Sequence, residues 1–247
     1  MLPLRELTYQ APEPAPATYP HHLPALSGFQ HLPFTQPVTF FIGDNGSGKS
    51  TLLESLAVKA GFHAEGGSHH ANYPVANTDT HLADALRLIW NRKVSNGFFF
   101  RAESFFAYAS YVDELAQDSA KALQPFGGVS LHHRSHGESF LALFQNRLDA
   151  DRPALYLFDE PEAALSITGQ LALLRIMHRW AKSGHVQVIV ATHSPILLAF
   201  PKAAIWTFDT TPLSPTTYRE SAPYQVTRAF LEDPERIFHE LFSEDDE

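Results

Sequence analysis

Apolar and polar positions follow two rhythms along the chain. Short apolar runs stand at Val38–Ile42, Phe98–Phe100, Ala154–Phe158, Val186–Ala191 and Ala204–Phe208. Runs of this length, rich in β-branched and aromatic residues, predict buried strands. Between them the spacing changes to three and four. Leu52, Leu53, Leu56 and Ala57 predict one helix, Leu82, Leu86, Ile89 and Trp90 a second, and Phe105 to Leu123 a third. Further helices are expected over Gln170–Lys182 and Arg228–Phe242. Strands alternating with helices predict an α/β fold around a mostly parallel sheet. Eight of the 18 prolines fall in the first 37 residues, so short strands and turns are expected there. Gly61 to Asn77, rich in Gly, His, Ala, Ser and Asn, reads as a loop whose His63, His69 and His70 are solvated.

Composition narrows the picture. At 247 residues and 44% hydrophobic content the chain can bury one core, with or without an insertion. A formal net charge of -9 argues against unspecific binding to phosphate backbones as the main task. The basic stretch Arg87, Arg92, Lys93 and Arg101 is expected to form a solvated face, with contact to a phosphate or an acidic partner as the alternative. The absence of cysteine removes disulfides, thiolate zinc sites and cysteine nucleophiles. Val186 to Phe200 is interrupted by Gln187, Thr192, His193, Ser194 and Pro195, short of the roughly 20 apolar residues of a spanning helix. Met1 to Gln10 holds Arg5 and Glu6 and no apolar run of signal length, so a cytoplasmic location without membrane insertion is expected.

The chemistry is concentrated at strand ends. Gly43-Asp44-Asn45-Gly46-Ser47-Gly48-Lys49-Ser50 matches G-x-x-x-x-G-K-[ST], follows an apolar strand and opens a helix. In that setting backbone N–H groups curl round a β-phosphate, Lys49 reaches the β- and γ-oxygens, and Ser50 ligates magnesium. Leu155 to Phe158 delivers two carboxylates, and this second strand is expected to lie beside the first. Asp159 there holds magnesium while Glu160 polarises the water that attacks the γ-phosphate. Val188 to Ala191 delivers His193 at the sheet edge where ligands of open α/β sheets bind, placed for a γ-phosphate. Arg134-Ser135-His136-Gly137-Glu138-Ser139 precedes a helical run and can bind a second phosphate. Standing 24 residues before Asp159, it is expected to serve a nucleotide held by another copy.

Together these motifs resemble the ABC-type ATPase superfamily, and within it the small stand-alone AAA-family ATPases rather than transporter subunits. The resemblance covers most of the chain. It implies an α/β P-loop NTPase fold over residues 1–247, with a mostly parallel central sheet, an N-terminal antiparallel β part and a helical insertion at about 62–135. It implies ATP and Mg2+ as ligands, with Asn45, Gly46, Ser47, Gly48, Lys49, Ser50 and Thr51 as Walker A, Asp159 and Glu160 as the end of Walker B, and His193 as the switch histidine. Ser135, Gly137 and Glu138 take the places of the signature Ser, second Gly and Gln. An ATP-dependent homodimer, with each ATP between one copy's Walker A and the other's signature, is implied as well.

The chain also departs from that family. Arg134, His136 and Glu138 replace signature residues, Ser166 stands where a transporter-like D-loop has Asp, and Glu103 is the candidate for the missing glutamine as a magnesium or water contact. The adenine-stacking aromatic is left open among Tyr9, Tyr19, Phe29 and Phe34. The 84 residues from Thr51 to Arg134 hold no sustained heptads, which excludes a Rad50-like coiled-coil architecture. The leading expectation is ATP hydrolysis coupled to an unidentified macromolecular partner. An ATP-clamped scaffold with little turnover and a transporter subunit are the alternatives.

Overall fold

The computed structural model describes residues 1–12, 19–69, 81–133 and 135–243, with only the backbone described at His81, Ala120 and His136. His70, Arg134, the 244–247 acidic tail and residues 70–77 of the 61–77 loop lie outside the described residues, and the side chain of His136 outside the described atoms. In chain order the elements are β1 (Leu4–Tyr9), β2 (His31–Pro33), β3 (Val38–Ile42), α1 (Lys49–Ala60), α2 (His81–Ala85), β4 (Leu86–Trp90), β5 (Gly97–Arg101) and α3 (Phe105–Asp118). They continue with α4 (His136–Asn146), β6 (Ala154–Asp159), α5 (Ile167–Ser183), β7 (Val186–Ala191), α6 (Pro195–Leu198), β8 (Ala204–Thr207), β9 (Ser214–Thr216), α7 (Ala222–Glu232) and α8 (Pro234–Phe242).

The central sheet has the order β5-β6-β7-β3-β8-β9, parallel throughout except for the edge strand β9. A smaller antiparallel sheet, β2-β1-β4, lies apart from it. Strand alternation divides the apolar side chains between two cores. Val38, Phe40, Tyr156, Phe158, Val188 and Val190 face one core, shared with α3, α4 and α5. Phe41, Leu155, Leu157 and Ile189 face the other, closed by α1 and the antiparallel sheet. Both faces being buried explains why these strands are apolar without interruption. Thr39 and Gln187 are buried polar exceptions within them, and Gln187 Oε1 accepts the Leu4 N–H at 2.8 Å and so ties β1 to β7.

An aromatic cluster fixes the helices above the site. The Phe100 ring lies 4.6 Å from Phe140, 5.1 Å from Phe144 and 5.6 Å from Phe105. The first two are edge-to-face, and aromatic pairs of this kind add about 0.5–1.5 kcal/mol each beyond burial. They pin α3 and α4 to β5.

Three expectations are corrected. Val38–Ile42 and Ala154–Asp159 are not neighbours, because β7 lies between β3 and β6. The helix expected over Leu82–Trp90 is one turn followed by strand β4: Leu86, Leu88 and Trp90 also alternate with period two, and pairing with β1 decides in favour of that period. The single helix expected over Arg228–Phe242 is two, broken before Pro234, where Asp233 accepts the Arg236 N–H. Within the region 62–135, β4 joins the antiparallel sheet and β5, expected from Phe98–Phe100, the central one; its described helical parts are α2 and α3 with the 3-10 turns at Ala120–Phe126 and Leu131–His133.

Candidate functional site

The phosphate-binding loop runs from β3 into α1. Gly48 precedes the helix with φ of 101°, and a Cβ there would meet the Leu23 side chain at 2.7 Å, so both conformation and space call for glycine. No side chain caps α1, which leaves its first-turn N–H groups available to an anion. Asn45 and Gly46 are exposed, and Ser47, Ser50 and Thr51 are half-buried. Lys49 is buried, and its Nζ donates to the carbonyls of Gly43 at 2.7 Å and Asp44 at 2.8 Å. Burial lowers its pKa, opposed by the charges of Glu160, Asp209, Asp159 and Asp44. Asp209, beyond β8, braces the loop by accepting the Asp44 N–H at 2.8 Å.

Ser50 and Asp159 meet across the site, the Ser50 hydroxyl donating to Asp159 Oδ1 at 2.8 Å. Burial pushes the Asp159 carboxyl up to about 6, against the opposing pull of the Ser50 hydrogen bond and the Arg101 charge. A buried carboxylate beside a hydroxyl at the phosphate loop is a hard oxygen pair of the kind magnesium takes. These two residues fit the ion.

Arg101 is not part of a solvated face. It pairs in register with Asp159 on the adjoining strand, and its guanidinium lies 3.3 Å from Glu54, 3.6 Å from Glu103, and 3.8 Å from both Glu65 and Asp159. The exposed Arg87, Arg92 and Lys93 do fit the expectation. Burial raises the Glu54 pKa, with Arg101 pulling it back. Glu103 sits on the rim of a cavity of about 290 Å³ that it shares with Ser50, Arg101, Asp159 and Glu160. Its side chain is 89% exposed and faces Arg101 rather than Asp159.

Glu160 adopts φ 47° and ψ 53°, a left-handed conformation costing a non-glycine residue roughly 1–2 kcal/mol. Its N–H donates to the carbonyl of Ala191 at 3.0 Å, so the strained turn is anchored to the end of β7. There His193 Nε2 lies 3.7 Å from Glu160 Oε1. Ser50, Asp159, Glu160 and His193 are thus brought together.

Ser135, Gly137 and Glu138 are placed elsewhere. They line a cleft of about 580 Å³ with Ala164, Leu165 and Ser166, which does not include the phosphate loop. Ser135 caps α4 and forms a reciprocal capping box with Glu138, whose Oε2 accepts the Ser135 N–H at 3.0 Å and its hydroxyl at 2.9 Å. Gly137 is required by close approach, because a Cβ would lie 2.9 Å from the Ala164 carbonyl oxygen. Ser166 caps α5, accepting the Gly169 N–H.

Sequence reasoning left the aromatic open. Tyr9, Phe29 and Phe34 are core residues, whereas Tyr19 is half-exposed and its hydroxyl meets that of Thr51 on α1. Asp209, Arg101 and Glu162 were also missed; an acid just beyond a strand was the available signal for Asp209. His63 and His69 are half-buried rather than solvated, the latter ring 4.2 Å from Phe62. Among the described residues no group of three or more His, Cys, Asp or Glu is placed to hold a metal by itself. No helix among them is long and apolar enough to cross a membrane.

Residues 23–68 match the model of an AAA domain family. The hemin import ATP-binding protein HmuV of Burkholderia thailandensis is 30% identical over 191 residues, covering 66% of this chain and 70% of that protein. The cytochrome c biogenesis ATP-binding export protein CcmA of Rhodopseudomonas palustris is 29% identical over 165 residues, covering 64% of this chain and 78% of that protein. In fold the chain is similar to a structure described as a metal-chelate type ABC transporter in an inward-facing conformation, with a TM-score of 0.50, 17% identity and 80% of each chain covered. Phosphate loop, buried aspartate and strand-end glutamate and histidine agree with these relationships: the chain belongs to the ABC-type P-loop ATPases, enzymes that bind ATP with Mg2+ and hydrolyse it.

Proposed function

We propose that the protein hydrolyses ATP as a head-to-tail homodimer, a cytoplasmic ATPase of one domain that works on an unidentified macromolecular partner and is not built into a transporter. The observation that carries this reading is the separation of the two half-sites. The Ser135 turn opens into a different cleft from Ser50, Asp159 and Glu160, so a second copy is needed to bring Ser135, Gly137 and Glu138 to a phosphate. Asn45 to Thr51 cradle the phosphates, and Lys49 exchanges its two carbonyl contacts for phosphate oxygens. Ser50 and Asp159 would hold Mg2+, whose charge would offset that of the phosphates, with Glu103 on the rim of the same cavity as a further candidate contact. Glu160 orients the attacking water, and His193 donates a hydrogen bond to the γ-phosphate. For the trans contact the capping box must open or take up a cation, because the Glu138 carboxylate faces the incoming phosphate.

Tyr19 is assigned the adenine ring, which an exposed aromatic beside α1 can stack upon. Tyr19→Ala is expected to weaken ATP binding by about 5- to 150-fold, in line with roughly 1–3 kcal/mol for a base–aromatic stack. Inorganic triphosphate binding should be unchanged. An equal loss for both ligands in a titration would remove Tyr19 from that role.

A second reading follows from the names of the relatives, which act in hemin import and cytochrome c biogenesis export. It makes this chain the nucleotide-binding subunit of a transporter. The deciding experiment is ATP turnover with light scattering of the wild type, with and without ATP and Mg2+. Turnover with a nucleotide-dependent dimer supports the proposal. A nucleotide-dependent dimer without turnover points to a clamp, and turnover by a monomer under every condition overturns the composite site. Co-purification with a membrane protein would favour the transporter reading. Nucleic acid as the partner has no support from the net charge of -9.

A further inference from the structure

Two loops leaving neighbouring strands at the edge of the site are joined by one carboxylate. Glu162 lies in the 3-10 turn that follows β6, two residues after Glu160. Its Oε1 accepts the Thr192 hydroxyl at 2.6 Å and the His193 backbone N–H at 2.7 Å, both on the segment that follows β7. Its Oε2 is buried without a hydrogen-bond partner. A second clamp stands one residue further on, where the Ser194 hydroxyl donates to Gln170 Oε1 at 2.6 Å. Gln170 Nε2 in turn donates to the Leu165 carbonyl at 3.2 Å. His193 is held between the two clamps, its imidazole against Glu160.

We propose that Glu162 is a positioning residue for hydrolysis: by accepting from Thr192 and from the His193 N–H, it sets the His193 imidazole at its working distance from Glu160. The inference rests on the reading of Glu160 and His193 as the pair that handles water and γ-phosphate. The turn that carries Glu160 also carries the acceptor for His193, so the two groups share one short piece of backbone and move together. Bonds to a carboxylate at 2.6 and 2.7 Å are short and charge-assisted. A half-buried carboxylate with one shielded oxygen unpartnered is nevertheless a costly way to hold a loop. The gain is geometrical: the acceptor is aimed at the two donors that flank the histidine ring's attachment, and at no other described group.

The test compares Glu162→Ala, Glu162→Gln and Thr192→Val by steady-state kinetics and by direct titration of ATP with Mg2+. Glu162→Ala should lower kcat by about 10- to 100-fold, the scale of a misplacement of about 1 Å. KM and ATP affinity should stay within about twofold, because no phosphate contact changes. Glu162→Gln should recover most of the lost turnover, since its amide oxygen can accept both bonds. Thr192→Val, which removes one donor and leaves the His193 N–H, should fall between. Wild-type kcat in Glu162→Ala, an equal loss in Glu162→Gln, or a loss confined to KM would each overturn the assignment. If Glu162→Ala does not fold, Thr192→Val decides: a lowered kcat at unchanged KM supports it, and wild-type kcat sinks it. Glu160→Gln and His193→Ala run alongside separate the two levels. If both kept full turnover, the underlying reading of the pair would fall; if both were impaired while Glu162→Ala was not, only the role of Glu162 would.

Discussion

Glu160→Gln is expected to lower ATP turnover by about two to three orders of magnitude, the usual contribution of a positioned base. Glutamine keeps the length and polarity of the side chain but cannot draw a proton from water. The phosphate cradle lies on a different strand end and is left intact, so ATP affinity should change by less than about threefold. The side chain is 44% exposed, and its only described ion pair is with His193 at 3.7 Å, so the exchange removes little packing. Loss of turnover with retained binding should therefore favour the nucleotide-bound assembly, visible as a dimer by light scattering in ATP and Mg2+. A variant hydrolysing ATP at the wild-type rate would take Glu160 out of its role.

Asp159→Asn should act in opposite directions on chemistry and stability. The asparagine cannot offer Mg2+ a charged oxygen, and hydrolysis should fall by at least about 100-fold. Yet the protein without nucleotide should become more stable at neutral pH. The folded-state pKa of Asp159 is about 6, above the 3.8 of an unperturbed aspartate. Its contribution to stability is therefore fully present below about pH 4 and is lost as pH rises through 6. Asparagine is neutral at every pH and avoids that loss. The gain is bounded by about 3 kcal/mol at pH 7.5 and vanishes towards pH 4. Urea melts of both proteins at pH 7.5 and pH 4.5 would check this. An equal or lower midpoint for the variant at pH 7.5 would show that ionised Asp159 is well compensated by the Ser50 hydrogen bond and the Arg101 charge.

What could be read from the sequence depended on whether local pattern and tertiary partners agree. Val38–Ile42, Ala154–Asp159 and Val186–Ala191 are buried on both faces, so apolar runs announced them, and the Gly43 to Ser50 motif needed nothing beyond its own spacing. At Leu82–Trp90 two periodicities overlapped in one segment, and only β1, some eighty residues earlier, decided between them. The position of β7 between β3 and β6 is a pairing fact with no local trace. Arg101 looked like a member of a basic stretch because three of its four carboxylate partners, Glu54, Glu65 and Asp159, are distant from it in sequence. Tyr19 and Glu162 were hidden for the same reason: each is identified by a neighbour distant in sequence.

The strand order has a consequence for how the molecule is made. Phe40 of β3 pairs with Val190 on one side and Ile205 on the other, about 150 and 165 residues further along the chain. At synthesis rates of about 5–20 residues per second, β3 waits roughly 8–30 s for its first partner in the central sheet, with both edges bare. Five consecutive buried residues with open edges are a template for pairing with another chain. The strand that will present the phosphate loop is therefore the segment most in need of shelter on the ribosome. Packing of Phe41 against α1 and β1 is the shelter that the first ninety residues can offer. The nucleotide site is complete only once Val186–Ala191 has paired with β3, so ATP stabilises a chain that has already passed that aggregation-prone stage.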